Sequence, residues 1–302
     1  MDPQMSVNHR TARVLLALAL ALPLGVALGA DPERNSAAGT APPRKTTPNL
    51  NLQSAAVLVV DESGQPLYAK HSHDQKPIAS ITKLMTAMVV LDSGAPLDEP
   101  LTILESDRDQ LRHSRSRLRI DRAATLQRWE TLAVALMSSD NRAASALGRT
   151  TFPGGKPDFV AAMNRKAAAL GMADTRYADP TGLDGGNRST AEDLVKLIRA
   201  AAGYPLIQEL TTRATMEVQP YGDADRLAYR NTNPLVQDPN WRVELSKTGY
   251  VSESGHCLVM RAVISGRRLD MVFLDSAGKR TPMGDSQRMR QWLEAQFRGR
   301  SG

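Results

Sequence analysis

A chain of 302 residues, 41% of them hydrophobic, can bury a sizeable core in one large domain or two small ones, which excludes an intrinsically disordered protein. Its 38 basic and 32 acidic residues leave a net charge of +6, a balance that suits an anionic neighbour such as a cell envelope and bears on encounter and solubility, not on fold. A single cysteine, Cys257, excludes any disulfide within the chain, so core packing must hold it together.

In chain order, His9, Arg10 and Arg13 precede an apolar run at residues 14–26 that ends in the small residues of 27–30. That is the charged, apolar, small-residue order of a secretory signal, and the run is shorter than the roughly 20 residues a membrane span needs. Residues 1–30 are therefore expected to be a cleaved signal peptide. No later segment is apolar enough to span a bilayer, so no stable membrane anchor is expected. Residues 31–51, rich in Pro, Ala, Thr and Asn, read as a disordered linker. A domain at residues 52–302 follows.

Residues 55–61 and 66–70 are two strands around a turn at 62–65, a hairpin signature. An apolar helix is expected at 77–92. Arginines crowd residues 108–122, but interleaved aspartates and the lack of aromatics favour a solvated surface over a nucleic-acid site. Helices are expected at 126–137, 141–148 and 156–170, and a fourth from Ser189, where Ser189 and Glu192 have the spacing of a capping box, to Tyr204. Strands at 242–250, 256–264 and 269–274 and a helix at 283–297 close the chain. Strands at both ends with helices between them predict an α+β fold: an antiparallel sheet formed by both chain ends, flanked by helices, with an inserted helical lobe.

The helix at 77–92 carries an anomaly. Ile81, Leu84, Met85, Met88 and Val89 recur at the spacing of a buried stripe, Pro77 suits its start and Gly94 its end, yet Lys83 sits inside it, three residues after Ser80. Residues at i and i+3 are neighbours on a helix. A lysine held in a low-dielectric site loses hydration, its pKa falls, and the neutral amine can take the proton of a serine hydroxyl, which is a poor nucleophile by itself. A capping serine followed by an exposed lysine is the bland alternative. The same Ser-x-x-Lys spacing recurs at Ser276 and Lys279, after a strand and without a helical stripe, so the context favours Ser80.

Two further triplets add weight. Ser139, Asp140 and Asn141 follow an apolar helix, and Lys247, Thr248 and Gly249 lie on a predicted strand. With Ser80 and Lys83 they reproduce the order and the helix, loop and strand contexts of penicillin-binding proteins and serine β-lactamases. Asn141 can both donate to and accept from a substrate amide, and Ser139 can pass a proton to a leaving nitrogen. Ser139, Asp140 and Asn141 are all also good residues for a helix N-cap. Lys247 adds a second positive charge that would depress the pKa of Lys83 and attract a carboxylate, for which Thr248 offers a hydroxyl. Gly249 would let a substrate backbone lie close to the strand.

Longer stretches, at residues 77–92, 135–144, 159–164, 170–175, 179–183 and 189–194, resemble the low-molecular-mass penicillin-binding proteins, the serine D,D-peptidases of bacterial cell walls. The likeness spans about residue 55 to the end and is nearest the D-alanyl-D-alanine endopeptidase branch, the penicillin-binding protein 7 type. It implies a β-lactamase/transpeptidase-like fold and a periplasmic hydrolase that uses neither metal nor cofactor. Its partners would be peptidoglycan stem peptides and cross-links, with β-lactams as covalent inhibitors. By the same resemblance Ser80 attacks a D-alanyl carbonyl with Lys83 as base, and the backbone amides of Ser80 and Tyr250 hold the oxyanion. No glutamate occurs between Glu130 and Glu192, so the deacylating glutamate of class A β-lactamases has no counterpart and slow release of a penicilloyl adduct is expected. The chain stops at its last helix, where several carboxypeptidase relatives continue into a β-rich domain and an anchor, which favours the endopeptidase branch. A D-alanyl-D-alanine carboxypeptidase and a non-catalytic muropeptide-binding scaffold are the alternatives.

Overall fold

In chain order the strands and helices are β1 (Ala56–Asp61), β2 (Pro66–Lys70), β3 (Lys76–Pro77), α1 (Thr82–Asp92), β4 (Pro100–Thr102), β5 (Thr125–Gln127), α2 (Arg128–Met137), α3 (Asn141–Thr150), α4 (Gly155–Ala169), β6 (Arg188–Ser189), α5 (Ala191–Ala201), α6 (Pro205–Thr212), β7 (Thr215–Val218), β8 (Leu227–Arg230), β9 (Arg242–Val251), β10 (Gly255–Ile264), β11 (Arg267–Ser276) and α7 (Thr281–Gly299). This computed structural model describes residues 49–299 apart from 115, 223 and 224. The expected signal peptide, and the expected linker up to residue 48, lie outside the described residues.

One antiparallel sheet, ordered β2-β1-β11-β10-β9, joins the chain ends as expected. The last strand pairs with the first, with Leu58 opposite Val272. Alternation decides which core each side chain enters. Ala56, Leu58, Val60, Val272 and Leu274 face the larger core, shared with α1 and the helical lobe. Val57, Val59, Met271 and Phe273 face a second core, closed by Met289, Leu293 and Phe297 of α7. A strand covered on both faces reads as an unbroken apolar run, which is how β1 appears in sequence. Among the described residues no helix is long and apolar enough to cross a membrane.

Several boundaries differ from expectation for physical reasons. Pro77 does not start a helix; it ends β3, which pairs with β6. A 3-10 turn, Ala79–Ile81, intervenes before α1, so Ser80 belongs to that turn and not to the first turn of the α-helix. All residues of α1 from Thr82 to Val90 are buried, so the expected stripe is a helix enclosed on every side. Helix α2 starts at Arg128, where Gln127 N donates to Glu130 Oε2 at 2.9 Å; residues 125–127 pair with β4 instead. The cap expected at Ser189 falls one residue on, at Thr190, and without the reciprocal bond of a capping box: Asp193 accepts from Asp174 N, Thr175 Oγ1 and Lys196 Nζ instead. Thr190 accepts from Asp193 N at 3.2 Å, Glu192 accepts from Ser72 Oγ at 2.8 Å, and Ser189 lies in β6. Helix α6 and the hairpin of β7 and β8 were not expected.

The start of the domain is tied to its end by one carboxylate. Asp285 of α7, fully buried, accepts from Gln53 N at 3.1 Å, Ser54 N at 2.7 Å and Ser54 Oγ at 2.5 Å. Asp285→Ala strands these donors and is expected to lower unfolding stability by about 3 kcal/mol in urea titration. An unchanged midpoint would show that the clamp is dispensable.

Candidate active site

The site grows around a strained turn. Ala79 has φ +46°, a left-handed conformation that costs a residue with a Cβ about 1 kcal/mol. Two glycines hold it there. A Cβ on Gly182, itself at φ +84°, would lie 2.0 Å from Ala79 O, and a Cβ on Gly249 would lie 3.0 Å from both Ile78 O and Ser80 N. Gly249, expected to let a substrate backbone lie close to the strand, also makes room for the chain's own turn. Ile78 N donates to Asn187 O at 3.0 Å and anchors the near side. Ser80 thus projects from a backbone pinned between β9 and the loop that follows α4.

Lys83, 1% exposed, lies one turn on. Its Nζ is 2.9 Å from Ser80 Oγ, 2.7 Å from Asn141 Oδ1 and 2.7 Å from Thr181 O. An amide oxygen and a backbone carbonyl can only accept, so they engage two N–H bonds of the amine. The third direction meets a hydroxyl, which can either accept or donate. When the amine is neutral its lone pair points at the Ser80 proton. Burial lowers the Lys83 pKa to about 8, against the pull of the Asp179, Asp140 and Asp109 carboxylates. At pH 7 about one molecule in ten then carries the free amine, against fewer than about one in a thousand for an ordinary lysine.

The second buried lysine, Lys247, is also 1% exposed. It donates to Ser139 Oγ and Thr248 O, both at 2.9 Å. Burial first, then the charge of Lys83, hold its pKa well below the usual lysine value. Desolvation is the leading cause for both lysines, as the low-dielectric reading of Lys83 expects, and the charge of Lys83 adds to the lowering of Lys247. Ser139 has φ +64°, and Thr248 Oγ1 donates to Thr232 Oγ1 at 2.7 Å. Between Ser139 and Asn141, buried Asp140 caps α3 by accepting from Ala143 N at 3.1 Å. The triplet therefore both caps a helix and aims its outer residues at the two lysines.

The structure brings Ser80, Lys83, Ser139, Asn141, Lys247, Thr248 and Gly249 around one turn. Tyr250, next along β9, is 58% exposed and its ring stacks on His256 at 4.2 Å. The competing pair does not form a site. Ser276 is buried with its Oγ 2.8 Å from Ser54 Oγ, and Lys279 is exposed. Cys257 lies opposite Gly249 in β10, buried, its thiol pushed up to about 11 by desolvation. Among the described residues no cluster of three His, Cys, Asp or Glu could hold a metal ion.

Three contributors were missed. Thr181 acts through its carbonyl, which no residue-type reading exposes. Ser114 Oγ accepts from Asn141 Nδ2 at 2.9 Å. Arg112 donates to Leu183 O at 2.8 Å, Ser252 Oγ at 3.1 Å and Glu253 Oε1 at 2.8 Å. The arginine-rich segment is thus not only a solvated surface. Arg108 and Arg119 do pair in solvent with Glu105 and Asp121, but Arg112 straps the segment across to the turn between β9 and β10.

The family model described as D-alanyl-D-alanine carboxypeptidase matches residues 43–278. The chain is 44% identical over 282 residues to a D-alanyl-D-alanine endopeptidase of Pseudomonas aeruginosa, covering 93% of this chain and 87% of that protein. It is 42% identical over 276 residues to the D-alanyl-D-alanine endopeptidase of Escherichia coli, covering 91% and 86%. Among solved structures, penicillin-binding protein D2 of Listeria monocytogenes in its cefotaxime-bound form superposes with a TM-score of 0.72 at 28% identity, over 81% of this chain and 98% of that one.

Gly182→Ala tests the clamp on the turn. The added methyl meets Ala79 O and must displace it, so covalent labelling by a fluorescent penicillin should slow at least about tenfold, an effect of some 1.4 kcal/mol on the barrier. Labelling at the wild-type rate would show that the turn is held by other means.

Proposed function

The chain belongs to the D-alanyl-D-alanine carboxypeptidase family, and on that premise we propose that it is a peptidoglycan D,D-endopeptidase, hydrolysing D-alanyl cross-links through an acyl-enzyme on Ser80. The observation that carries the reading is the Lys83 amine, enclosed with two obligate acceptors and the Ser80 hydroxyl. The two endopeptidases to which the chain is more than 40% identical support the choice of bond.

In the acylation step neutral Lys83 takes the Ser80 proton as Oγ bonds to the D-alanyl carbonyl carbon. Negative charge moves to the carbonyl oxygen, held by the backbone N–H groups of Ser80 and Tyr250, each such donor typically worth ~3 kcal/mol. The C–N bond then breaks, and Ser139, backed by Lys247, delivers a proton to the departing amine. Asn141 binds the substrate amide. Thr248 and Lys247 receive the carboxylate beside the scissile bond, and that carboxylate supplies the counter-charge that raises the pKa of Lys247. Water then attacks the acyl carbon, a proton returns to Ser80 Oγ, and the donor peptide leaves with a free carboxylate. A β-lactam acylates Ser80 by the same step, but its departing nitrogen stays tethered. The reading also takes residues 1–30 as a cleaved signal, 31–51 as a linker, 52–302 as the catalytic domain and the periplasm as the workplace.

Purified protein should convert dimeric, cross-linked muropeptides to monomers, and Ser80→Ala should abolish both this and penicillin labelling while Ser276→Ala leaves both intact. Release of D-alanine from a pentapeptide with dimers left uncut would assign a carboxypeptidase instead. Tight binding with no turnover would assign a scaffold.

The pH dependence follows from Lys83. Its pKa is lowered to about 8, so the reactive neutral amine grows as pH rises. Acylation should accelerate nearly tenfold between about pH 6 and 7 and level off above about pH 8. A rate that is flat across this range would remove Lys83 as the base.

A further inference from the structure

Lys83 can offer a lone pair to Ser80 only if its own two N–H bonds are already directed elsewhere. Thr181 O is fixed backbone, but Asn141 Oδ1 belongs to an amide that could rotate and present its NH2 group instead. What prevents this is the other end of the same amide: Nδ2 donates to Ser114 Oγ at 2.9 Å.

Ser114 itself is held with some care. Asp109, with 9% of its surface exposed, accepts from Leu111 N and Arg112 N at 2.9 Å and from Ser114 N at 2.7 Å, so one carboxylate gathers the segment into a closed turn. His113 completes that turn in a left-handed conformation, φ +51°. Arg112 reaches out of it to Leu183 O, two residues beyond Thr181, and to Ser252 and Glu253 past the end of β9. A segment that only covered the surface would need none of these ties. Here they fix one hydroxyl against one amide.

We propose that Ser114 is a positioning residue for the proton acceptor: by holding the Asn141 amide with its oxygen toward Lys83, it assigns the lysine's hydrogen bonds and leaves the lone pair to Ser80. This rests on the acyl-enzyme reading above and adds to it a residue from outside the three triplets. The other groups that act on Lys83 are the carboxylates of Asp109, Asp140 and Asp179 and the Thr181 carbonyl, with Lys247 on the β9 side. Of these, Asp109 also takes a hydrogen bond from the Ser114 side chain, which helps hold its carboxyl below the usual range, so the Ser114 hydroxyl sits between that carboxylate and the Asn141 amide. Asp109 contributes twice, through its charge and through its grip on Ser114 N.

The consequence has two parts. Without Ser114 the amide loses its anchor, so the oxygen that stabilises the ammonium form of Lys83 is no longer fixed, and the acylation profile shifts to lower pH. The lone pair is also less well directed, so the plateau rate falls.

The test measures penicillin acylation rate against pH for wild type, Ser114→Ala, Ser114→Thr, Asn141→Ala and the Ser114→Ala/Asn141→Ala double variant, each with its melting temperature. Ser114→Ala is expected to lower the plateau about tenfold, the scale of one hydrogen bond, and to move the midpoint to lower pH. Ser114→Thr, which keeps the hydroxyl, should restore both. In the Asn141→Ala background the Ser114 change should have no further effect, because the two residues act as one unit. A Ser114→Ala variant with a lower melting temperature but an unmoved plateau and midpoint would overturn the proposal, as would additive effects in the double variant. Absence of labelling in wild type, or labelling that survives Ser80→Ala, would instead refute the acyl-enzyme reading, which separates the two failures.

Discussion

The arrangement depends on a single buried amine surrounded by two obligate acceptors and one hydroxyl. Lys83, 1% exposed, is the second residue of α1, which is buried from Thr82 to Val90, and none of the three groups its amine bonds is a carboxylate. Three carboxylates act on it from a distance and keep its pKa from falling further than about 8. A closer carboxylate would make Lys83 a permanent cation and a useless base. Fewer acceptors would make the burial itself too costly, since an unpaired buried polar group is penalised by a few kcal/mol.

This balance explains why the site is assembled from parts distant in sequence. The turn bearing Ser80 is strained at Ala79, and strain of this kind persists only where the surroundings impose it. Gly182, from the loop after α4, and Gly249, from the sheet edge, press on the two sides of that turn. Asn141 comes from the start of α3, and the Lys247 pair with Ser139 links the sheet to the lobe. The clamp between Asp285 and Ser54 lies far from this chemistry, but it joins the first strand to the last helix and so closes the sheet on whose edge β9 is mounted.

Much of this was legible in sequence because it is written in side-chain types at short spacing. Strands at both ends of the chain with helices between them placed both ends in one sheet, and the Ser80 and Lys83 spacing survived even though the helix begins at Thr82 and not at Pro77. The middle of the Ser139 to Asn141 triplet could be read as a cap and proved to be one. What stayed hidden was carried by the backbone or by distance. The Thr181 carbonyl has no side-chain signature. That Gly249 also makes room for the chain's own turn shows only once the chain is folded. Arg112 and Ser114 sit in a stretch whose composition is that of a solvated surface, and only the fold shows that Asp109 bends it back onto Asn141.

The central claim is that burial, and not a neighbouring cation, brings the Lys83 amine into the range where it can act as a base. An NMR titration of 15N-labelled lysine side chains in the unliganded protein, with the Lys83 signal identified by its loss in Lys83→Arg, measures this directly. The account predicts a midpoint near 8 for that signal, unchanged when Lys247 is replaced by methionine. A midpoint at the ordinary lysine value of 10.5 would contradict it.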